Sequence, residues 1–317
     1  MDPRTYVWNL ILVNPLLSLL VGAYDLIPDF GFAIVIVTIL IRLVLYPLYV
    51  TQIRSQRAMQ EIGPAMKELQ QKYGKDKQRI AEEQMKLYRE RGVNPAMGCL
   101  PLLLQMPILF AMYAAFLNAP HFSGEELKNT IWAFVPTPIG AGDHLDLTAH
   151  WLPWISSCME NGTPLTGLAC KNADIGIPAG LILPAFAGVF QLIASLMAMP
   201  TNQPKSDDPQ VRMTQSMSYY FPLITVFFAY QYQSGLAVYW VVSTFVQIVQ
   251  QYFVSGWGQL PRWLPFLRGI PTPADAFIAR QQRVAVAEVE ADMSAAPPRT
   301  RDEEDERRTR RRRRRGR

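Results

Sequence analysis

One full charge, Arg42, stands inside residues 30–50 (FGFAIVIVTILIRLVLYPLYV), a mostly apolar run long enough for a helix to cross a bilayer. A guanidinium is a permanent cation with N–H donors and no acceptor, so its chemistry is attraction and hydrogen-bond donation, not proton abstraction or nucleophilic attack. Near the middle of a span it costs roughly 2.5 to 3.5 kcal/mol on insertion scales, so it must face protein or trapped water. Thr38 lies one turn earlier, and Tyr46 and Tyr49 follow at helical spacing, which predicts a polar stripe with Ile34, Ile36, Leu40 and Leu43 directed elsewhere. A basic side chain near a helix end would snorkel to the interface. About two turns separate Arg42 from the basic stretch that begins at Arg54, which favours a hydrated cavity shared with polar groups of other helices over snorkelling.

Other chemistries fit less well. Asp143, His144, Asp146 and His150 share one long loop, but their spacing matches no tight ligand pattern, so a solvated loop without metal is expected. Cys158 and Cys170 lie in the same loop and Cys99 in a span; the loop pair forms a disulfide if exported to an oxidising compartment, or remains two structural thiols. No His, Asp or Glu occurs in the five core spans assigned below, which argues against an intramembrane enzyme. No internal repeat and no second intramembrane charge supports an ion or proton relay. No nucleotide motif is visible, and no cofactor is expected.

Half of the residues are hydrophobic while mean hydropathy is barely above zero, so apolar spans and very polar segments must be segregated. The expected architecture is an all-α polytopic membrane protein with a five-helix core. Residues 1–29, broken by Asn9, Asn14, Pro15 and Gly22, read as an interfacial helix on the exported side. Spans follow at 30–50, 97–118, 178–199, 217–234 and 235–254. Residues 51–96 carry apolar stripes at Met59, Met66, Leu69 and Tyr73 and at Ile80, Leu87 and Tyr88, with a turn near Gly74, and predict a helical hairpin. Its basic excess makes it cytoplasmic by the positive-inside rule. Residues 119–177 form an exported loop with few basic residues, and 200–216 a short cytoplasmic link. The amino end is thus outside and the carboxyl end inside.

Residues 255–317 become polar and end in an acidic run followed by Arg307, Arg308, Arg310, Arg311, Arg312, Arg313, Arg314 and Arg315. Such a block predicts a disordered tail attracted to phosphate, in RNA or in anionic lipid.

Four motifs resemble one known family in order and spacing: TILIRLVLYPL, then RSQRAMQEIGPAMKELQQKYGKDKQRIAEEQMKLYRERGVNP, GCLPLLLQMPILFAMY and FPLITVFFAYQYQSGLAVYWVVSTFVQIVQQ. The match covers most of residues 30–253 and resembles the YidC-type membrane protein insertases, in the compact form without a large exported domain. The resemblance implies a bacterial plasma-membrane insertase that receives nascent membrane proteins in a hydrophilic groove, assists their folding and releases them into lipid without nucleotide hydrolysis. Arg42 matches the family's groove arginine. Thr38, Gln105 in the QMP motif, Gln191, Tyr239 and Trp240 are the further groove residues expected. Partners implied in the same way are the ribosome, through the arginine tail, a Sec-type translocon and membrane lipids.

Overall fold

The computed structural model describes residues 7–61, 63–74, 76–90, 100–118, 124–136, 145–152, 154–155, 157–160, 163–175, 178–199 and 209–275. Helix α1 (Asn9–Leu26) is wound as a π-helix over Asn9–Val13 and as an α-helix from Asn14, with Pro15 in its first turn, where a missing N–H costs nothing. Pro28 ends the reversal after it. Asp29 then caps α2 (Phe30–Val44), its Oδ1 accepting the Phe32 amide at 3.0 Å.

The run read as one span, 30–50, is bent. Helix α2 stops at Leu45, and α3 (Tyr46–Glu61) continues at 65° to it. Leu45 leaves helical geometry, and Pro47 can give no N–H to the Leu43 carbonyl four residues back. The bend also corrects the expected stripe. Thr38, Arg42 and Tyr49 are buried, but Tyr46 turns outward, and Ile34 joins the core while Leu40 and Leu43 are exposed.

Helices α4 (Gly63–Tyr73) and α5 (Lys77–Glu90) pack together as a hairpin. Gly74 makes the turn in the left-handed region, at φ +59°. Helix α6 (Leu100–Asn118) carries Pro107 inside it and is apolar over Gln105–Leu117. A loop that holds α7 (Gly124–Thr130) and α8 (Asn172–Ile175) then leads to α9 (Ile182–Ala198), α10 (Pro209–Gln231) and α11 (Ser234–Val254). Among the described residues three helices can cross a membrane by length and composition, those of Asn9–Leu26, Ala179–Ala198 and Ser234–Val254, and the bent α2–α3 pair makes a fourth. Five were expected. Asn9–Leu26 was not among these five, and the expected spans at 97–118 and 217–234 correspond to α6, apolar in sequence along most of its length, and α10, polar in sequence over its first half.

The expected solvated loop is in fact folded against the helices. It contains α7 (Gly124–Thr130), an antiparallel hairpin of β1 (Ser157–Glu160) with β2 (Thr163–Thr166), and the single turn α8 (Asn172–Ile175), so the chain is not wholly helical. Leu127, Leu147, Leu152 and Leu168 are buried in one cluster with Leu17, Phe30, Met112, Phe116 and Leu236. The Phe30 amide donates to the Thr148 carbonyl, and a Cβ on Gly31 would meet the Trp151 indole at 2.6 Å. Gly167, at φ +58°, presses on the Leu147 carbonyl. Farther on, Ser234 donates through both its amide and its hydroxyl to the Cys170 carbonyl, and Asn172 Nδ2 donates to the Ala229 carbonyl.

These bonds define one end of the bundle. The starts of α2 and α11 meet the loop there, as do the finish of α6, where Phe116 abuts Gly235, and that of α10. Helix α1 packs beside α2, α2 beside α11, and α9 beside both α10 and α11. Leu43, Phe186, Leu223, Phe227, Phe245 and Val249 are exposed, so apolar surface rings the bundle as on a lipid-facing wall.

Candidate functional site

Arg42 lies in the last turn of α2 and is only 4% exposed. Its Nη2 donates to Ser243 Oγ at 2.7 Å and its Nε to the same oxygen at 3.2 Å. On its other side the guanidinium carbon sits 4.3 Å from the centroid of the Tyr49 ring. The carbonyls that end α2 add a favourable partial negative charge at this helix terminus. Among the described residues no carboxylate pairs with Arg42. One hydroxyl and one ring therefore face a group with five N–H donors, which leaves capacity for an incoming acceptor.

The site draws on four helices. On α11, Tyr239 precedes Ser243 by one turn on the same face, and its hydroxyl accepts a hydrogen bond from Gln105 Nε2 of α6 at 2.7 Å. Helix α3 supplies Tyr49 after the bend, and α2 supplies Arg42. Thr38 is buried one turn before Arg42, but its hydroxyl donates to the Ile34 carbonyl of its own helix at 2.6 Å, so it adds lone pairs rather than a donor.

Arg42, Gln105 and Tyr239 are thus brought into one polar chain through Ser243. Gln191 on α9 and Trp240 on α11 are both half-buried, and among the described residues no hydrogen bond joins either to Arg42. Cys170 is buried and disulfide-bonded. The side chain of Cys158, Cys99, the pair Asp143 and His144, and Arg307 through Arg315 lie outside the described residues. His150, once weighed as a metal ligand, instead binds Asp29: its amide donates to Oδ2 at 2.7 Å, and its ring Nδ1 lies 3.1 Å from the same oxygen. Burial pushes the Asp29 carboxyl up, but the His150 and Phe32 amides and the His150 ring together outweigh it and hold it below the usual range.

Three residues of interest escaped the pattern analysis. Gln52 Nε2, Gln250 Oε1 and Gln251 Oε1 are buried without a hydrogen-bond partner among the described residues, on α3 and α11, which pack together beyond Arg42. Buried amides of this kind are costly unless something pairs with them. For Gln250 and Gln251 the signal in the sequence is their spacing with Gln247 on the helix face that carries Ser243; Gln52 has no such signal.

The family model described as 60Kd inner membrane protein matches residues 22–259 of this chain. A membrane protein insertase YidC of Oceanobacillus iheyensis is 31% identical over 255 residues, covering 78% of this chain and 84% of its own. The chain belongs to the YidC insertase family. The YidC 1 protein of Halalkalibacterium halodurans is 31% identical over 257 residues, 79% of each chain. The YidC insertase of Haemophilus influenzae is 32% identical over 249 residues, but this chain spans only 37% of its length. A crystal structure of an active YidC insertase with its first transmembrane domain resolved is 24% identical, with a TM-score of 0.48 over 80% of this chain and 47% of that one. With its apolar helices, this YidC-family chain is a multi-pass bacterial membrane protein.

Proposed function

We propose that this chain is a membrane protein insertase whose hydrophilic groove is centred on Arg42. The observation that carries the reading is a guanidinium buried among apolar helices with one hydroxyl and one ring as partners and no carboxylate among the described residues. A permanent ion pair would neutralise such a charge. Left without one, it lowers the desolvation cost of a polar or acidic segment halfway across the bilayer. Arg42 attracts and does not react, so the protein is not an enzyme. The client's own apolar helix then partitions into lipid, at about 25 cal/mol per Å2 buried, and this drives release without nucleotide hydrolysis.

In this reading the folded loop closes the exported end, the amino end is outside, and the α4–α5 hairpin stands in the cytoplasm over the groove entrance and meets nascent chains. The core is completed by α6 and α10 as spans two and four of five. Gln105, Tyr239, Thr38, Gln191 and Trp240 line the groove, and the orphan amides of Gln52, Gln250 and Gln251 extend it away from the loop. Cys158 is the partner of Cys170. The arginine tail, Arg307 to Arg315, holds the ribosome or anionic lipid, and a Sec-type translocon and folding of the released client belong to the same role.

The test is insertion of a single-span client with an acidic amino tail into liposomes containing this protein alone. Wild type should protect the tail from protease, Arg42→Ala should lose most of that protection, and Arg42→Lys should retain much of it, because charge matters here more than fork geometry. Equal protection with Arg42→Ala would remove the arginine from the mechanism. Solute flux without any protected tail would favour a transporter.

A further inference from the structure

After α11 the chain does not run off into solvent but folds back along the ends of α9 and α11. Gly258, at φ +53°, allows the approach, since a Cβ there would strike the Met197 carbonyl, and the Gln259 amide donates to the Leu196 carbonyl at 2.9 Å. Leu260 and Leu267 bury into a small cluster with Leu196, Met197 and Met199. The short helix α12 (Leu260–Trp263) and the turn Pro265–Leu267 are therefore seated from below. The Trp257 indole donates to the Ile270 carbonyl, and Arg268 Nε donates to the Pro261 carbonyl, which closes the segment on itself.

What this seating leaves outside is Trp263, Leu264, Phe266, which is 70% exposed, and Ile270, interleaved with exposed Arg262 and Arg268. No Asp or Glu occurs between residues 255 and 274. Large apolar and aromatic side chains alternating with arginine, rigidly placed where two spanning helices end, have the composition of a bilayer-interface element. Water would solvate only the arginines. We infer that residues 260–270 form a docking surface for the anionic face of the bilayer, on the leaflet opposite the loop, with Trp263, Phe266 and Ile270 sunk among acyl chains and Arg262 and Arg268 on lipid phosphates. Continuity with the lipid-facing wall of α9 and α11 and the unopposed positive charge select a bilayer over a protein partner. Because the segment is bonded to the ends of α9 and α11, it sets the depth of these helices in the membrane and so the height of the Ser243 and Arg42 pair.

Amide exchange of the full chain in nanodiscs tests this. Exchange of the peptide covering 262–270 should be at least about fivefold slower in discs containing phosphatidylglycerol than in discs of phosphatidylcholine alone, the factor expected from one phosphate-paired arginine. The Arg262→Glu, Arg268→Glu double variant should lose that lipid difference while the α11 peptide keeps its protection, which shows that the bundle is intact. Equal exchange in both lipids would overturn the inference. So would a lipid difference that survives the double variant, or protection that depends on two protein copies per disc, which would make the face a contact between copies.

Discussion

Replacing Asp29 by alanine isolates the joint between the loop and the bundle. Two bonds are lost where burial makes them count: the Phe32 amide loses its cap, at about 1 kcal/mol, and the His150 amide loses a carboxylate at 2.7 Å, at about 2 kcal/mol for a bond to a charged group. The ring contact adds little, because the His150 side chain is 73% exposed and water screens it. The sum, about 3 kcal/mol, corresponds to a roughly hundredfold rise in the open population of this joint. Hydrogen exchange in detergent or nanodiscs should show the peptides covering 30–34 and 146–152 exchanging about a hundredfold faster, while those of α9 and α11 stay unchanged. The pH dependence follows from the lowered carboxyl of Asp29. A depressed folded-state value means the stabilisation is fully present above the ordinary aspartate value of about 4 and is lost as pH falls through the lower folded value, so pH 5 to 8 should leave protection untouched. Asp29→Asn, which keeps an acceptor for Phe32 but loses the charge, should fall between the two. If Asp29→Ala changed protection by less than about threefold, or lowered it equally across all helices, the claim that this carboxylate fastens the loop to α2 would be wrong.

Ser243→Ala removes the one hydroxyl that accepts from Arg42; client insertion should fall several-fold while the thermal midpoint drops by a few degrees, and a rise in activity would show that the serine quenches the charge rather than positions it. Gly167→Ala drives a methyl group into the Leu147 carbonyl at a left-handed φ, so a loss of about 2 to 4 kcal/mol is expected, read as lower yield and midpoint in detergent; wild-type stability would refute the loop packing. Cys170→Ser should lower the midpoint of oxidised protein to that of the reduced wild type, and mass mapping should return a peptide linked to Cys158.

Arg42 and Gln105 stood out in the sequence because a charge or amide inside an apolar run needs a reason, and Tyr239 because it lies with Trp240 among the family-like residues of the last span. Helix existence was equally legible from apolar length. The bend was harder to see. Residues 30–50 have the length and hydropathy of one straight span, and only the geometry at Leu45 shows that the two halves diverge. The loop was misread for a different reason: its burial arises from contacts such as Leu147 with Leu17 and Phe30 in one cluster, which are remote in sequence and leave no periodicity. The partners of Asp29 were missed likewise, since His150 lies 121 residues away. That Ser243, rather than its neighbours Thr244 or Gln247, accepts from Arg42 follows only from the three-dimensional geometry.

The break at Leu45 couples two parts of the molecule mechanically. Helix α3 runs without interruption from Tyr46 to Glu61, about 24 Å at 1.5 Å per residue, so it is a stiff arm set at an angle to the foot of α2. The Tyr49 ring over Arg42 lies on its first turn, close to the bend, and the α4–α5 hairpin follows its far end. With that geometry, a change of angle at Leu45 would be multiplied along the arm into a larger displacement of the hairpin and would tilt the Tyr49 ring over Arg42 only slightly.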